Sequence, residues 1–167
     1  MCDQLKQEPG TVGTAVGNAD PQTIAEVRTS KVSWLTRTND SEWIYERLAF
    51  IARKLNAEFY NFDLYGFVED MQYTVYEGDV SGHYTWHLDF SETSTSPRKF
   101  SIVLQLSDPS EYEGGELQVL VKADAESVDR KKGLVAAFPS WTLHRVTPVT
   151  SGIRKTLVVW VAGPQFR

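Results

Sequence analysis

From residue 70 onward the chain is cut into short segments: MQYTVYEG, HYTWHLDF, KFSIVLQLS, GELQVLV, GLVAAFPS, LHRVTPV and RKTLVVWVAG. Each is rich in β-branched and aromatic residues, and Gly, Pro, Asp and Ser punctuate the gaps. Parallel strands need long crossovers, usually helices, and no helical periodicity lies between these segments. A β-sandwich or jelly roll is the architecture that fits. Upstream, Ile44, Leu48, Ile51, Leu55 and Phe59 recur at helical spacing, predicting an amphipathic helix of four to five turns. Asn39 followed by Glu42 resembles a capping box at its start. VRTSKVSWL (27–35) reads as one further strand. Residues 1–26 are polar and Gly-rich and read as an irregular arm. Residues 27–167 form the expected domain, with a helical buttress over 40–59 and a β-core over 70–162. The expected class is mainly β with an N-terminal helix.

Composition narrows the function classes. A formal net charge of -5 argues against nucleic-acid binding, which needs clustered cations. Cys2 is the single cysteine, which excludes an internal disulfide and a Cys-rich zinc site. No apolar run approaches the ~18 residues of a membrane span, and MCDQLKQEPG lacks the order of a secretory signal. A cytoplasmic protein without membrane or nucleic-acid partners is expected; oligomeric state is left open.

The chain has three histidines, and HYTWHLDF holds two of them, with an aspartate. On a strand, residues i and i+2 face one way about 6.5 Å apart, so His87 and Asp89 can aim at one point. His83 shares that face on an unbroken strand but lies about 13 Å away, too far to join directly. A helical His83/His87 zinc motif is disfavoured by Tyr84, Thr85 and Trp86 and by the missing Glu. His144, 57 residues beyond His87, is the remaining candidate for a third ligand. Two His and one carboxylate with open positions make the facial triad of non-haem Fe(II) oxygenases.

Arg154 lies ten residues after His144 and opens the last strand. Alternation sends Arg154, Thr156, Val158 and Trp160 to one face and Lys155, Leu157 and Val159 to the other. An inward Arg and Thr on an apolar strand carry a cost unless an anion meets them. A dicarboxylate would do so, with the guanidinium forking onto its distal carboxylate. Arg154 at the strand mouth, in water, is the alternative.

HLD, His144, Arg154 ten further on, YEGGEL (112–117) and the closing VVWVAG together resemble the 2-oxoglutarate and Fe(II)-dependent oxygenases. Within them the closest resemblance is to prolyl-4-hydroxylase-like (PKHD-type) hydroxylases. The resemblance implies a double-stranded β-helix (jelly roll) holding Fe(II) by His87, Asp89 and His144. It implies 2-oxoglutarate and O2 as cosubstrates, Arg154 on the distal carboxylate with Thr156 beside it, and ascorbate as a candidate to keep iron reduced. Tyr76 resembles the family's cosubstrate-binding tyrosine, with core packing as its other reading. Gln105 is a further cosubstrate contact if SIVLQLS is in register. Tyr84 and His83 are rim candidates for the substrate, and SETSTSPRK (91–99) is a candidate lid. The implied activity is hydroxylation of an aliphatic C–H in an amino-acid-like or peptidyl, for example prolyl, substrate, releasing succinate and CO2. A cupin-like isomerase or small-molecule binder without 2-oxoglutarate is the competing reading.

Overall fold

Two antiparallel sheets and one helix follow from where the alternating strands can bury both faces. The computed structural model describes residues 1–11, 24–90 and 98–164. In chain order these carry β1 (Glu8–Pro9), β2 (Arg28–Thr29), β3 (Lys31–Leu35), α1 (Glu42–Leu55), β4 (Met71–Glu77) and β5 (His83–His87). Then come β6 (Arg98–Gln105), β7 (Tyr112–Gly114), β8 (Leu117–Val121), β9 (Asp124–Ser127), β10 (Val135–Pro139), β11 (His144–Val146) and β12 (Val149–Ala162). One sheet runs β1-β3-β4-β12-β6-β10, with β7 also on β12; the other runs β2-β5-β11-β8-β9. From β4 onward the chain passes back and forth between the two sheets. This makes a jelly roll.

The alternation along β12 is visible in what each face touches. Leu157, Val159 and Val161 join a core with Ile44, Tyr45 and Leu48 of α1, on the outer side of the larger sheet. Val158 packs from the other face against Tyr76, Val103 and Phe138, between the sheets. The register Thr156↔Gln105, Val158↔Val103 and Trp160↔Ser101 then lines one interior row across β12 and β6. Burial of the strands on both faces explains their near-continuous apolar character.

Several expectations change. The helix follows three short strands, so it is not an N-terminal helix. Its buried face is Ile44, Tyr45, Leu48 and Ala52, while Phe59, expected on it, is 65% exposed in a π turn over Asn56–Tyr60. The Asn39–Glu42 capping box does not form. Ser41 is the N-cap; its hydroxyl accepts from the Thr38 N–H (2.8 Å) and donates to the Thr36 carbonyl (2.8 Å), and Glu42 pairs with Arg37 instead. The single strand expected over 27–35 is two strands in different sheets: β2 pairs with β5 and β3 with β4. Within the stretch expected to be an irregular arm, Glu8–Pro9 pairs with Lys31–Val32 on the edge of the larger sheet. Among the described residues no helix is long and apolar enough to cross a membrane.

Candidate metal centre and anion pocket

His87 closes β5 and His144 opens β11, and the two face each other directly in the antiparallel ladder. Asp89 lies just past β5. Its N–H and that of Phe90 both donate to the Ser140 carbonyl, at 2.9 and 3.0 Å, which pins the turn beside the ladder. One ligand atom from each of His87, Asp89 and His144 lies within 4.8 Å of the others. His87 Nε2 is 3.8 Å from Asp89 Oδ1, and His144 Nε2 is 3.6 Å from Asp89 Oδ2.

The chemistry of this donor set suits a divalent metal. His87 Nδ1 donates to the Thr85 carbonyl (2.7 Å) and His144 Nδ1 to the Thr142 carbonyl (2.9 Å). A carbonyl can only accept, so each ring carries its proton on Nδ1 and offers the Nε2 lone pair to the centre. Burial lowers the His87 pKa to about 4, helped by the neighbouring His144. Burial opposes ionisation of Asp89, but His144, His87 and the Ser101 hydroxyl together hold its carboxyl below the usual carboxylate range. Ser101 Oγ donates to Asp89 Oδ2 at 2.6 Å from a fully buried position on β6. Two imidazoles, each with Nδ1 engaged by a carbonyl, and one carboxylate thus converge on one point.

Strand geometry was subtler than strict alternation. His144 pairs with His87 but Val146 with Tyr84, so three residues of β5 span what two span on β11. This bulge breaks the strand that the alternation argument took as continuous. It turns Tyr84, rather than His83 or Thr85, to the side of His87, and the Tyr84 ring stacks on the imidazole at 3.4 Å between centroids. His83 faces elsewhere: its Nδ1 lies 2.8 Å from the Ser81 carbonyl. Trp86 also points away, with Arg145 over its ring. Residues 91–97, most of the candidate lid, lie outside the described residues; Arg98 and Lys99 begin β6.

At the far end of the interior row sits Arg154, only 2% exposed, opposite Tyr76 on β4. Among the described residues, the ion pairs leave Arg154 without a carboxylate. Burial pushes its pKa down, and the phenols of Tyr76 and Tyr112 counteract this. A small cavity opens beside it, lined by Gln105, Tyr112, Gly115, Arg130 and Val103 among others. Gln105 Nε2 donates to Tyr112 Oη at 2.9 Å, and Thr156, 1% exposed, lies between Gln105 and Thr74 in the sheet. Gly115 has φ +59°, and a Cβ there would lie 3.1 Å from Arg154 Cδ, so its bare backbone lets the guanidinium stem lie flat. Arg154 and Gln105 line this cavity, while Thr156 and Tyr76 are their register neighbours on β12 and β4.

Residues 71–162, more than half of the chain, match the model of the 2OG-Fe(II) oxygenase superfamily. The chain belongs to that superfamily. It is similar to a PKHD-type hydroxylase of Prochlorococcus marinus, 42% identical over 78 residues, covering 47% of this chain and 35% of that protein. The chain spans well under half the length of such curated relatives. Among solved structures it resembles a Trichoplax adhaerens prolyl hydroxylase in complex with a hypoxia inducible factor peptide (TM-score 0.74, 16% identity, 94% of this chain and 70% of that one). It also resembles a viral collagen prolyl hydroxylase from Paramecium Bursaria Chlorella virus-1 in its 2OG complex (TM-score 0.65, 23% identity, 83% and 81%). Those two likenesses speak for the fold.

Membership in the 2OG-Fe(II) oxygenases implies Fe(II), 2-oxoglutarate and O2, and His87, Asp89 and His144 are a group that could hold such an ion. Ser101 and Tyr112 were not singled out from the sequence. Ser101 could have been found, since it is four residues before Gln105 on the same strand face. Tyr112 sat in the YEGGEL motif without a stated role, and nothing local marked Arg130.

Proposed function

We propose that this oxygenase hydroxylates an aliphatic C–H of an amino-acid-like or peptidyl substrate, prolyl residues included, with release of succinate and CO2. The reading rests above all on one observation: two imidazoles with committed Nδ1 protons and an ionised carboxylate converge on one point. Bound iron and 2-oxoglutarate would supply the oxidising power. His87, Asp89 and His144 would hold the metal, and Ser101 would keep the Asp89 carboxylate from rotating away. Arg154 would take the distal carboxylate of 2-oxoglutarate, with Thr156, Gln105 and Tyr76 completing the cradle of a double-stranded β-helix. The buried interior keeps water from the site. Tyr84 lies beside the metal site, where substrate would approach, and His83 is the outer rim candidate.

Anaerobic addition of Fe(II) and 2-oxoglutarate is the test. A weak visible charge-transfer band is expected, absent in His87→Ala and requiring far more 2-oxoglutarate in Arg154→Ala. Metal binding without any band in the wild type would favour a cupin-like metalloprotein instead. Succinate release stimulated by prolyl peptides or free amino acids, with a hydroxylated product by mass, then identifies the substrate.

A further inference from the structure

His144 and His87 are supported unequally. His144 is 4% exposed and backed by Phe138, ring centroids 4.6 Å apart. His87 follows the bulge in β5, where ladder pairing is irregular, and its ring is covered by Tyr84. The same Tyr84 ring has Arg28 over it, the guanidinium carbon 4.7 Å from the ring centroid. Tyr84 thus links the two groups, stacked on the His87 imidazole and in contact with the Arg28 guanidinium.

Arg28 is an unusual residue to bury. It is 6% exposed, yet its bonds go to neutral oxygens: Nε to Ser30 Oγ (2.8 Å), one terminal nitrogen to Gln72 Oε1 (2.7 Å), the other to the Thr11 carbonyl (3.2 Å). Among the described residues no carboxylate pairs with it. A buried charge without a counter-ion costs folding free energy. Its planar fork, held at each nitrogen, is instead suited to fixing a flat surface against an aromatic face.

The N-terminal segment completes the clamp. Gly10 is buried, and its N–H donates to the Ser30 carbonyl at 2.8 Å. A Cβ on Gly10 would come 2.6 Å from Arg28 Nε and 2.3 Å from Ser30 Oγ, so a side chain here would have to displace the Arg28 and Ser30 side chains from each other. Thr11 follows with the carbonyl that Arg28 uses. Neither Gly10 nor Arg28 belongs to the stretch that matches the superfamily.

We propose that Arg28, seated by the Gly10–Thr11 backbone, is a positioning residue for the metal centre: it presses Tyr84 flat onto His87 and so fixes the plane in which Nε2 meets Asp89. The proposal rests on the metal-site reading above. It gives the N-terminal segment a role in the site rather than in the fold alone. Arg28 acts through Tyr84 and touches no metal ligand itself.

The full chain is titrated with Mn(II), a redox-inert probe, and the metal-free protein is examined by 15N-detected NMR of the His87 ring. Wild type is expected to hold the Nδ1–H tautomer alone. Arg28→Met should unfold cooperatively, show a mixture of His87 tautomers, and bind Mn(II) about ten-fold more weakly. Arg28→Lys, which keeps charge but loses the planar fork, should follow it. Gly10→Ala, with Arg28 intact, should move both readouts the same way. Unchanged tautomer and Mn(II) affinity in a folded Arg28→Met protein overturn the proposal. If that variant does not fold, the same null result in Gly10→Ala overturns it. Wild-type Mn(II) affinity in His87→Ala would instead sink the metal-site reading, which the metal-free tautomer measurement does not depend on.

Discussion

Replacing Arg154 by methionine should make the protein more stable and less able to bind 2-oxoglutarate. Arg154 is 2% exposed and, among the described residues, forms no ion pair; phenols and an amide surround it, and Asp129 and a second cation, Arg130, line the same cavity. Burial pushes its pKa down, the sign that the site resists the charge when nothing anionic occupies it. Exchanging such a charge for an apolar side chain of similar length is worth about 1–2 kcal/mol to the ligand-free protein. In a chain of 167 residues this raises the melting temperature by about 3–6 °C. The wild type recovers the cost on binding. At a cosubstrate concentration one hundred times Kd it gains ~2.7 kcal/mol, or about 8 °C. The variant loses a charge-assisted fork and should gain almost nothing. Thermal melts with Mn(II), with and without 2-oxoglutarate, should therefore show the order of the two proteins inverting. An Arg154→Met protein that melts below the wild type without cosubstrate would refute the buried-charge argument. One that keeps the cosubstrate-induced shift would refute the assignment of the anion pocket.

Ser101→Ala removes the 2.6 Å donor to Asp89 Oδ2 from a fully buried position, so Mn(II) affinity measured by calorimetry should fall about ten-fold with little change of fold. In metal-free protein the His87 ring should stay neutral down to about pH 4, because burial and then His144 oppose its charge. The unfolded chain protonates this ring near 6.5, so it takes up the proton first as pH falls. The stability His87 contributes is complete above that value and is lost as pH drops from 6.5 towards 4. An NMR titration of His87 with a midpoint near 6.5 would contradict this.

Much of the site could be read before the fold was in hand, because strand alternation is a local rule. Arg154, Thr156, Val158 and Trp160 share a face for the same stereochemical reason in any strand, and Gln105 falls opposite Thr156 as the register requires. Where a local rule was stretched over an irregular backbone it failed. The bulge between Tyr84 and His87 costs one residue of register, and that single residue moved Tyr84 inward and left His83 outside. The capping box fails for another reason: the helix is entered at Ser41, whose hydroxyl bonds back to the Thr38 amide and the Thr36 carbonyl, and the Glu42 carboxylate is taken by Arg37.

The sequence by itself determined the β class, the helix that buttresses it, the His87–Asp89 pair and the arginine at the other end of the interior. These depend on periodicity and on the scarcity of histidine, both written along the chain. Only tertiary structure decided which side chains stand behind them. Ser101 meets Asp89 across 12 positions, and Arg28 reaches Gln72 across 44 and Tyr84 across a sheet pairing. Contacts of that kind depend on which strands become neighbours, and neighbours in a jelly roll are set by the burial of whole faces rather than by any local stretch of sequence. The N-terminal segment shows the difference most sharply. As sequence it was a polar arm; in the fold, the missing side chain of Gly10 leaves room for Arg28, which contacts the ring stacked on His87.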